Sequence, residues 1–350
     1  MKYGRDLLKE VEGYTPGEQP QGPGYVKLNT NENPYPPSPK VLEALRGLDA
    51  EALRKYPDPL SVRFRAACAE RYGYPGPEWV IAGNGMDELL ALALRTFVDP
   101  GDTVLAPYPT YSLYEVLCGL HGAQLRCVDL DDDFQLTGAF FTTPARLCFL
   151  TRPNAPSGVS VPRAAAAQVC ERFDGIVVID EAYVDFADDD CMDFATHHEN
   201  AIVMRTFSKS FSLAGLRIGV AVAQPQVIGE FLKTKDSYNM NVVSQRAGLA
   251  AMEDYAHMLE SRKRVRTTRA RLRGQLLDLG FDVPESQTNF LLARRDADPS
   301  AAEIFEALNA RRILVRYFDA RRLENALRIT VGTDAECDAL IEALREILGG

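Results

Sequence analysis

Histidine is scarce in this chain of 350 residues, and its cysteines show no pairing pattern. The four histidines are His121, the neighbours His197 and His198, and His257. None has a partner at metal-ligand spacing, which argues against a structural zinc or a histidine-based nucleophile relay, and no metal is expected. The seven cysteines (68, 118, 127, 148, 170, 191 and 337) are odd in number, form no C-x-x-C pair and sit mostly among apolar residues, where a thiol packs as a small hydrophobe. They point to a reduced, cytoplasmic protein. No uninterrupted apolar run approaches the ~20 residues that span a bilayer. The start, Met1-Lys2-Tyr3-Gly4-Arg5-Asp6, lacks the apolar core of a signal peptide, so neither export nor membrane insertion is expected. With 39 basic and 49 acidic residues the net charge is −10, a balance that repels phosphate backbones and argues against a nucleic-acid partner. The one dense basic run, Arg262 to Arg273, reads as the solvated face of a long helix. Internal repeats and low-complexity tracts are absent as well.

What is present is enough for a large core: 46% hydrophobic and 25% charged residues, the proportions of an ordinary globular protein. At ~150 residues per domain the length suggests two domains. Residues 1–27 hold a short helical stretch and the Pro/Gly-rich passage from Tyr14 to Gly24, which its prolines keep from being a helix or central strand. This is an arm. From about 28 to 240, helical periodicity alternates with the apolar runs 104–106, 147–150, 176–179, 201–204 and 218–222. Continuous Val/Ile/Leu runs mark strands buried on both faces, so an α/β domain with a mostly parallel sheet flanked by helices is expected. From 241 to 350 the pattern is a charged helix (about 253–279), strand-like 289–294, a helix from Ser300, strand-like 313–318 and 327–331, and a closing helix from Asp334. These suggest a smaller α+β domain that the arm joins.

Three apolar runs end in polar segments: Thr151-Arg152-Pro153-Asn154-Ala155-Pro156-Ser157-Gly158, Asp180-Glu181-Ala182-Tyr183, and Thr206-Phe207-Ser208-Lys209 onward to Gly215-Leu216-Arg217. In an open α/β sheet such carboxyl-end positions line the ligand crevice. Taken singly, each has an ordinary reading as a cap, a turn or a surface lysine. Their order and joint spacing add meaning. The set Ser-Lys-x5-Gly-Leu-Arg at 208–217, Asp-x-x-Tyr at 180–183 and Pro-Asn-x-Pro-x-Gly at 153–158 resembles the fold-type I, class II aminotransferases that depend on pyridoxal 5′-phosphate, and specifically the histidinol-phosphate aminotransferase family. The arm resembles that branch too, in Tyr14-Thr15-Pro16-Gly17-Glu18-Gln19-Pro20 and in Lys27-Leu28-Asn29-Thr30-Asn31-Glu32-Asn33-Pro34-Tyr35.

The resemblance implies a site. Pyridoxal phosphate works as an electron sink that the protein must hold and tune. Lys209 would form its Schiff base and then move the substrate α-proton. Asp180 would keep the ring nitrogen protonated, because an opposite charge in a dry crevice favours the charged form. Asn154 and Tyr183 would hydrogen-bond the phenolic oxygen, and Tyr111 would stack on the ring, whereas Tyr108 and Tyr114 read as core packing. The loop Gly83-Asn84-Gly85-Met86-Asp87-Glu88 opens an apolar helix and offers backbone N–H groups and a helix dipole to the phosphate, with Gly85 and Met86 as donors. A dinucleotide fingerprint would need glycine where Glu88 stands. Arg217, Ser208 and Thr206 would complete the cradle.

For the substrates, Arg328 is an arginine inside an apolar strand and therefore either paired or awaiting an anion. By resemblance it binds the carboxylate of glutamate and 2-oxoglutarate or the phosphate of histidinol phosphate, with Arg316 as a second anion site and Tyr14 reaching the ligand. Tyr56 would reach the site of the partner in a homodimer. The implied reaction is histidinol phosphate plus 2-oxoglutarate giving imidazole-acetol phosphate plus glutamate, in histidine biosynthesis. An aromatic amino-acid aminotransferase and a threonine-phosphate-type decarboxylase remain open alternatives. A cofactor-binding regulator would need a fused DNA-binding module. Ala155, Ser157 and Arg152 depart from the commonest family pattern, and Arg152 could add positive charge near the cofactor.

Overall fold

Five apolar runs become the middle of one seven-stranded sheet. The computed structural model describes residues 3–9, 11–20 and 22–349, so Met1, Lys2, Glu10 and Gln21 of the arm, and Gly350, lie outside the described residues. The strands are β1 (Val26–Lys27), β2 (Val80–Asn84), β3 (Thr103–Tyr108), β4 (Gln124–Asp129), β5 (Leu147–Thr151), β6 (Ile176–Asp180), β7 (Ala201–Thr206), β8 (Ile218–Val222), β9 (Phe290–Arg294), β10 (Ile313–Leu314), β11 (Arg316–Tyr317) and β12 (Ala326–Thr330). The large sheet runs β2-β8-β7-β6-β5-β3-β4, and every neighbouring pair is parallel except the two that involve β8.

Side chains on these strands alternate between two cores. Cys148, Leu150, Val177, Ile179 and Val203 join the cluster on one face, and Leu147, Phe149, Val178, Ile202 and Met204 join the cluster on the other. Helices cover both faces, so each alternating position loses water and contributes roughly 1.5–3 kcal/mol per large aliphatic side chain. This two-sided burial is why the runs are continuously apolar. The edge strand β4 escaped the sequence reading because Gln124, Arg126, Cys127 and Asp129 are exposed, as suits an edge that must not pair further.

The smaller unit is a three-stranded antiparallel sheet, β11-β12-β9, beside the parallel pair β1-β10. The stretch expected as one strand over 313–318 is two, because its backbone changes partner at Val315, from the arm on one side to β12 on the other. Leu28, Leu272, Leu291, Ile304, Leu327 and Leu340 share its core. Capping boxes start its helices Ala301–Ala310 and Asp334–Ile347, with Ser300 paired to Glu303 and Thr333 to Glu336, which fixes both starts where the sequence put them. The helix Val242–Glu253 packs elsewhere: Met240, Ala247, Ala251 and Met252 belong to the core of the large sheet. We therefore place the division between the units within the helix Tyr255–Asp278, later than the expected boundary at 240.

The basic run on that helix is a solvated face only in part: Lys263 and Arg264 are exposed, and other members turn inward. Arg262 and Arg266 donate to Ala187 O, and Arg269, buried, donates to Phe186 O and Thr288 O. Their guanidiniums satisfy carbonyls of the loop that follows Tyr183 and, through Arg269, the Thr288 carbonyl just before β9.

Candidate active site

Thr151, Asp180 and Thr206 are the last residues of β5, β6 and β7. The parallel register sets Thr151 beside Asp180, so three polar ends meet at the carboxyl edge of the sheet, the usual location of a ligand crevice. A cavity of about 350 Å³ opens there, walled on the other side by residues of the arm, β11, β12 and the loop after β11. Tyr14, Met86, Tyr111, Asp180, Tyr183, Thr206, Ser208, Lys209, Arg217, Arg316 and Arg328 all line it.

Two groups at its floor are held away from their ordinary protonation. Burial pushes the Asp180 carboxyl up to about 6, although hydrogen bonds from Tyr114 Oη at 2.5 Å and from the Ala182 N–H at 3.1 Å favour the anion. Burial lowers Lys209 to about 8, Arg328 acting in the same direction and Glu32 and Asp87 against it. Its Nζ donates to Thr30 O at 3.1 Å. A carboxylate and an amine so displaced at one cleft mark a functional site.

The loop before the helix Met86–Phe97 is tightly packed against β8 and Arg217. Gly85 has φ 87°, and a Cβ there would stand 2.8 Å from Arg217 Nη2. A Cβ on Gly219 would stand 2.6 Å from Met86 N, so strand and loop pack too closely there for any other residue, while at Gly85 the positive φ favours glycine. Gly85 is not itself a free donor, since its N–H bonds Gly83 O at 2.9 Å. Met86 lines the cavity at the head of the helix, where orphan N–H groups gather. Arg217 reaches Ser208 Oγ at 3.3 Å and Asp87 Oδ2 at 2.9 Å. Backbone donors, a hydroxyl and a guanidinium at one spot fit a phosphate group such as the expected cofactor carries.

Across the cavity, Arg316 on β11 stands directly opposite Arg328 on β12. Like charges paired across strands are unfavourable. Arg316 donates to the arm, to Thr15 O at 3.2 Å and Pro16 O at 3.5 Å. Arg328 donates to Asn29 O at 3.0 Å, while its buried Nε has no partner. Two guanidiniums so placed can share an anion with several oxygens.

Two sequence expectations land elsewhere, those for Asn154 and Arg152, whereas Tyr56, expected at a partner's site, is on the surface. Asn154 is buried but does not line the cavity: its Nδ2 donates to Pro109 O and its Oδ1 accepts from Ser157 N–H and Oγ–H, so the amide ties its own loop to the one after β3. Tyr56 is 81% exposed and stacks on Tyr238 with centroids 4.4 Å apart, outside the cavity of its own chain. Arg152 points away from the cavity, donating to Val161 O at 2.8 Å and to Asp189 at 2.5 Å, so it adds no charge at the ligand. Two contributors were missed. Tyr114, stacked on Phe149, is core packing as expected, yet its hydroxyl also bonds Asp180 and Thr151; a buried phenol always needs a partner, which was the available signal. Asn31, noted only as part of the arm's resemblance, donates to Tyr183 Oη at 3.0 Å.

Comparison with known proteins agrees over nearly the whole chain. A family model described as aminotransferase class I and II matches residues 23–344. A histidinol-phosphate aminotransferase of Microcystis aeruginosa is 44% identical over 345 residues, covering 99% of this chain and 98% of the relative. One from Synechocystis is 45% identical with the same coverage. Among solved structures, the histidinol-phosphate aminotransferase of Sinorhizobium meliloti in complex with pyridoxal 5′-phosphate superposes with a TM-score of 0.83 at 28% identity, over 92% of this chain and 90% of that one.

Proposed function

This chain belongs to the class I and II aminotransferases, and from that premise we propose that it moves the amino group of histidinol phosphate to 2-oxoglutarate in histidine biosynthesis, using pyridoxal 5′-phosphate. What carries the substrate reading is the facing pair Arg316 and Arg328 at the cavity that holds Lys209 and Asp180. One planar fork accepts a carboxylate or a phosphate bidentately, so a single site can take glutamate in one half-reaction and a phosphorylated amine in the other.

When bound, the cofactor supplies an electron sink for the substrate's α-carbon. Lys209 would attach it and carry the α-proton on Nζ; with its pKa lowered to about 8, the amine is neutral in a useful fraction of molecules near neutral pH. Asp180, ionised above about 6, would provide the anion for the ring nitrogen, steadied by Tyr114. Arg217, Ser208, Thr206 and the N–H of Met86 would hold the phosphate, Tyr111 would lie against the ring, and Tyr183 would donate to its phenolic oxygen. Asn154 would act through the loop it braces. Tyr14, whose ring meets Tyr111 edge-on at 5.9 Å, would cover the substrate.

The deciding measurement is the first half-reaction. Mixing the cofactor-loaded enzyme with histidinol phosphate is expected to convert the visible absorbance to that of the amine form, and phenylalanine is expected to do so far more slowly. The reverse preference would favour an aromatic aminotransferase. Carbon dioxide released from phosphothreonine without a keto-acid acceptor would favour a decarboxylase.

A homodimer is part of the proposal. Tyr56, 81% exposed, stacks on Tyr238, itself 47% exposed, an aromatic pair suited to a second copy, and Tyr56 would reach the site of that copy. Mixed Tyr56→Phe and Lys209→Ala subunits are then expected to yield hybrids with one intact site and restored activity; failure of restoration would remove Tyr56 from the site. The cysteines are all free, in keeping with a reducing, cytoplasmic setting. Among the described residues no helix is long and apolar enough to cross a membrane.

A further inference from the structure

Residues 29–33 give one polar atom after another to the site. Asn29 O accepts from Arg328, Thr30 O accepts from Lys209 Nζ, and Asn33 Nδ2 donates to Lys209 O and Ser210 O, each at 3.1 Å. Between them, Asn31 makes bonds whose direction can be deduced. Its backbone is left-handed, φ 57°, a conformation asparagine tolerates better than most residues. Its carbonyl is fixed by Asn289 Nδ2 at 3.0 Å.

Thr330 Oγ1 accepts from the Asn31 N–H at 3.0 Å and donates its own hydrogen to Asn31 Oδ1, also at 3.0 Å. Exchanging the amide's oxygen and nitrogen would leave the hydroxyl hydrogen of Thr330, 2% exposed, with no acceptor, a buried group unsatisfied at substantial cost. With Oδ1 held by Thr330, the atom facing Tyr183 Oη at 3.0 Å is Nδ2, which can only donate. Tyr183 accepts there. Its own hydrogen must point elsewhere, and the phenol lines the cavity.

We infer that Asn31, oriented by Thr330, is a positioning residue that directs the Tyr183 hydroxyl hydrogen into the cavity and so makes Tyr183 an obligate donor to an anionic ligand oxygen. This rests on the transaminase reading, in which Tyr183 serves the cofactor's phenolic oxygen. Thr330 and Arg328 stand two apart on β12 and therefore project from the same face, so the strand that carries the substrate arginine also sets the polarity of Tyr183.

The test is the pH titration of the visible absorbance of the loaded enzyme, which reports protonation at the bound cofactor and does not depend on turnover. Donation to an anionic oxygen favours the deprotonated form of the group beside it, so losing the donor raises the midpoint. Tyr183→Phe is expected to raise it. Asn31→Gly, which keeps the left-handed backbone without strain, and Thr330→Val, which keeps the shape, are each expected to raise it by about half to one pH unit. In the Tyr183→Phe background, Asn31→Gly is expected to add nothing. The inference is overturned if both single variants keep the wild-type midpoint while Tyr183→Phe moves it, or if Asn31→Gly adds its full shift in the absence of the phenol. A wild type without a titrating visible band, or a Tyr183→Phe enzyme with the wild-type midpoint, overturns the reading of the site itself and this inference with it.

Discussion

Replacing Lys209 with alanine is expected to lower turnover about 10⁴-fold, the upper end of what a positioned proton carrier contributes, with the cavity and its arginines left in place. Steady-state rates against histidinol phosphate measure this directly; a variant that kept more than a tenth of the wild-type rate would take Lys209 out of the chemistry. The same lysine should act in the opposite sense on stability. Its pKa in the folded protein, about 8, lies below the 10.5 of an exposed lysine because of burial and the Arg328 charge. Between those values the unfolded chain binds more protons than the folded one, so stability rises with pH across about 8 to 10.5, and below 8 the buried ammonium is a standing cost. Lys209→Met, similar in volume and uncharged, is therefore expected to raise the melting temperature of the cofactor-free protein at pH 7, with the gain shrinking by pH 10.

Asp180→Ala is expected to reduce turnover roughly 10²- to 10³-fold, the range seen when one preorganised electrostatic partner is removed, and to weaken cofactor retention on dialysis. An unchanged rate would exclude Asp180 as the partner of the ring nitrogen. The stability sign again runs against function. The folded-state pKa of about 6 exceeds the 3.8 of an exposed aspartate, with burial as the leading cause. Any stability this implies is complete below about 3.8 and lost as pH rises through 6. Asp180→Asn should therefore gain over the wild type, without cofactor, increasingly from about pH 3.8 to 6 and by a constant amount above 6. Each charge is thus expensive to the empty protein and useful only to the loaded one.

How much of this was legible in the sequence follows from what each residue does. Strands covered on both faces announce themselves, since every position must be apolar; Ile176 to Ile179 needed no structure to be read. The edge strand at Gln124 left no such trace, because one side of it is solvent. Lys209, Asp180 and Arg217 stood out through the family pattern that their order and spacing resemble, whereas Asn154 showed a limit of that method: a pattern places a residue but not the direction of its amide, which here turns to Pro109. Gly85 is similar, a position required for its backbone angle more than for its N–H. Asn31 and Thr330 are 299 residues apart, and nothing local signals that they meet.

That separation bears on how the protein is made. Val26 and Lys27 have their strand partners at Ile313 and Leu314, and Leu28 N–H bonds Leu314 O. Translated at about 5–20 residues per second, the arm waits roughly 15–60 s for those partners to be synthesised. The large sheet, complete by Val222, has its strands in hand well before then. Once Val222 is made, the nascent chain holds every strand of the large sheet and Lys209, while its Asn29–Asn33 stretch still lacks its partners on β12. A ribosome that stopped after the long helix ending at Asp278 would release a chain with Lys209 and Asp180 but neither Arg316 nor Arg328, so under the proposed function the binding of anionic substrates would be the last capability the growing chain acquires.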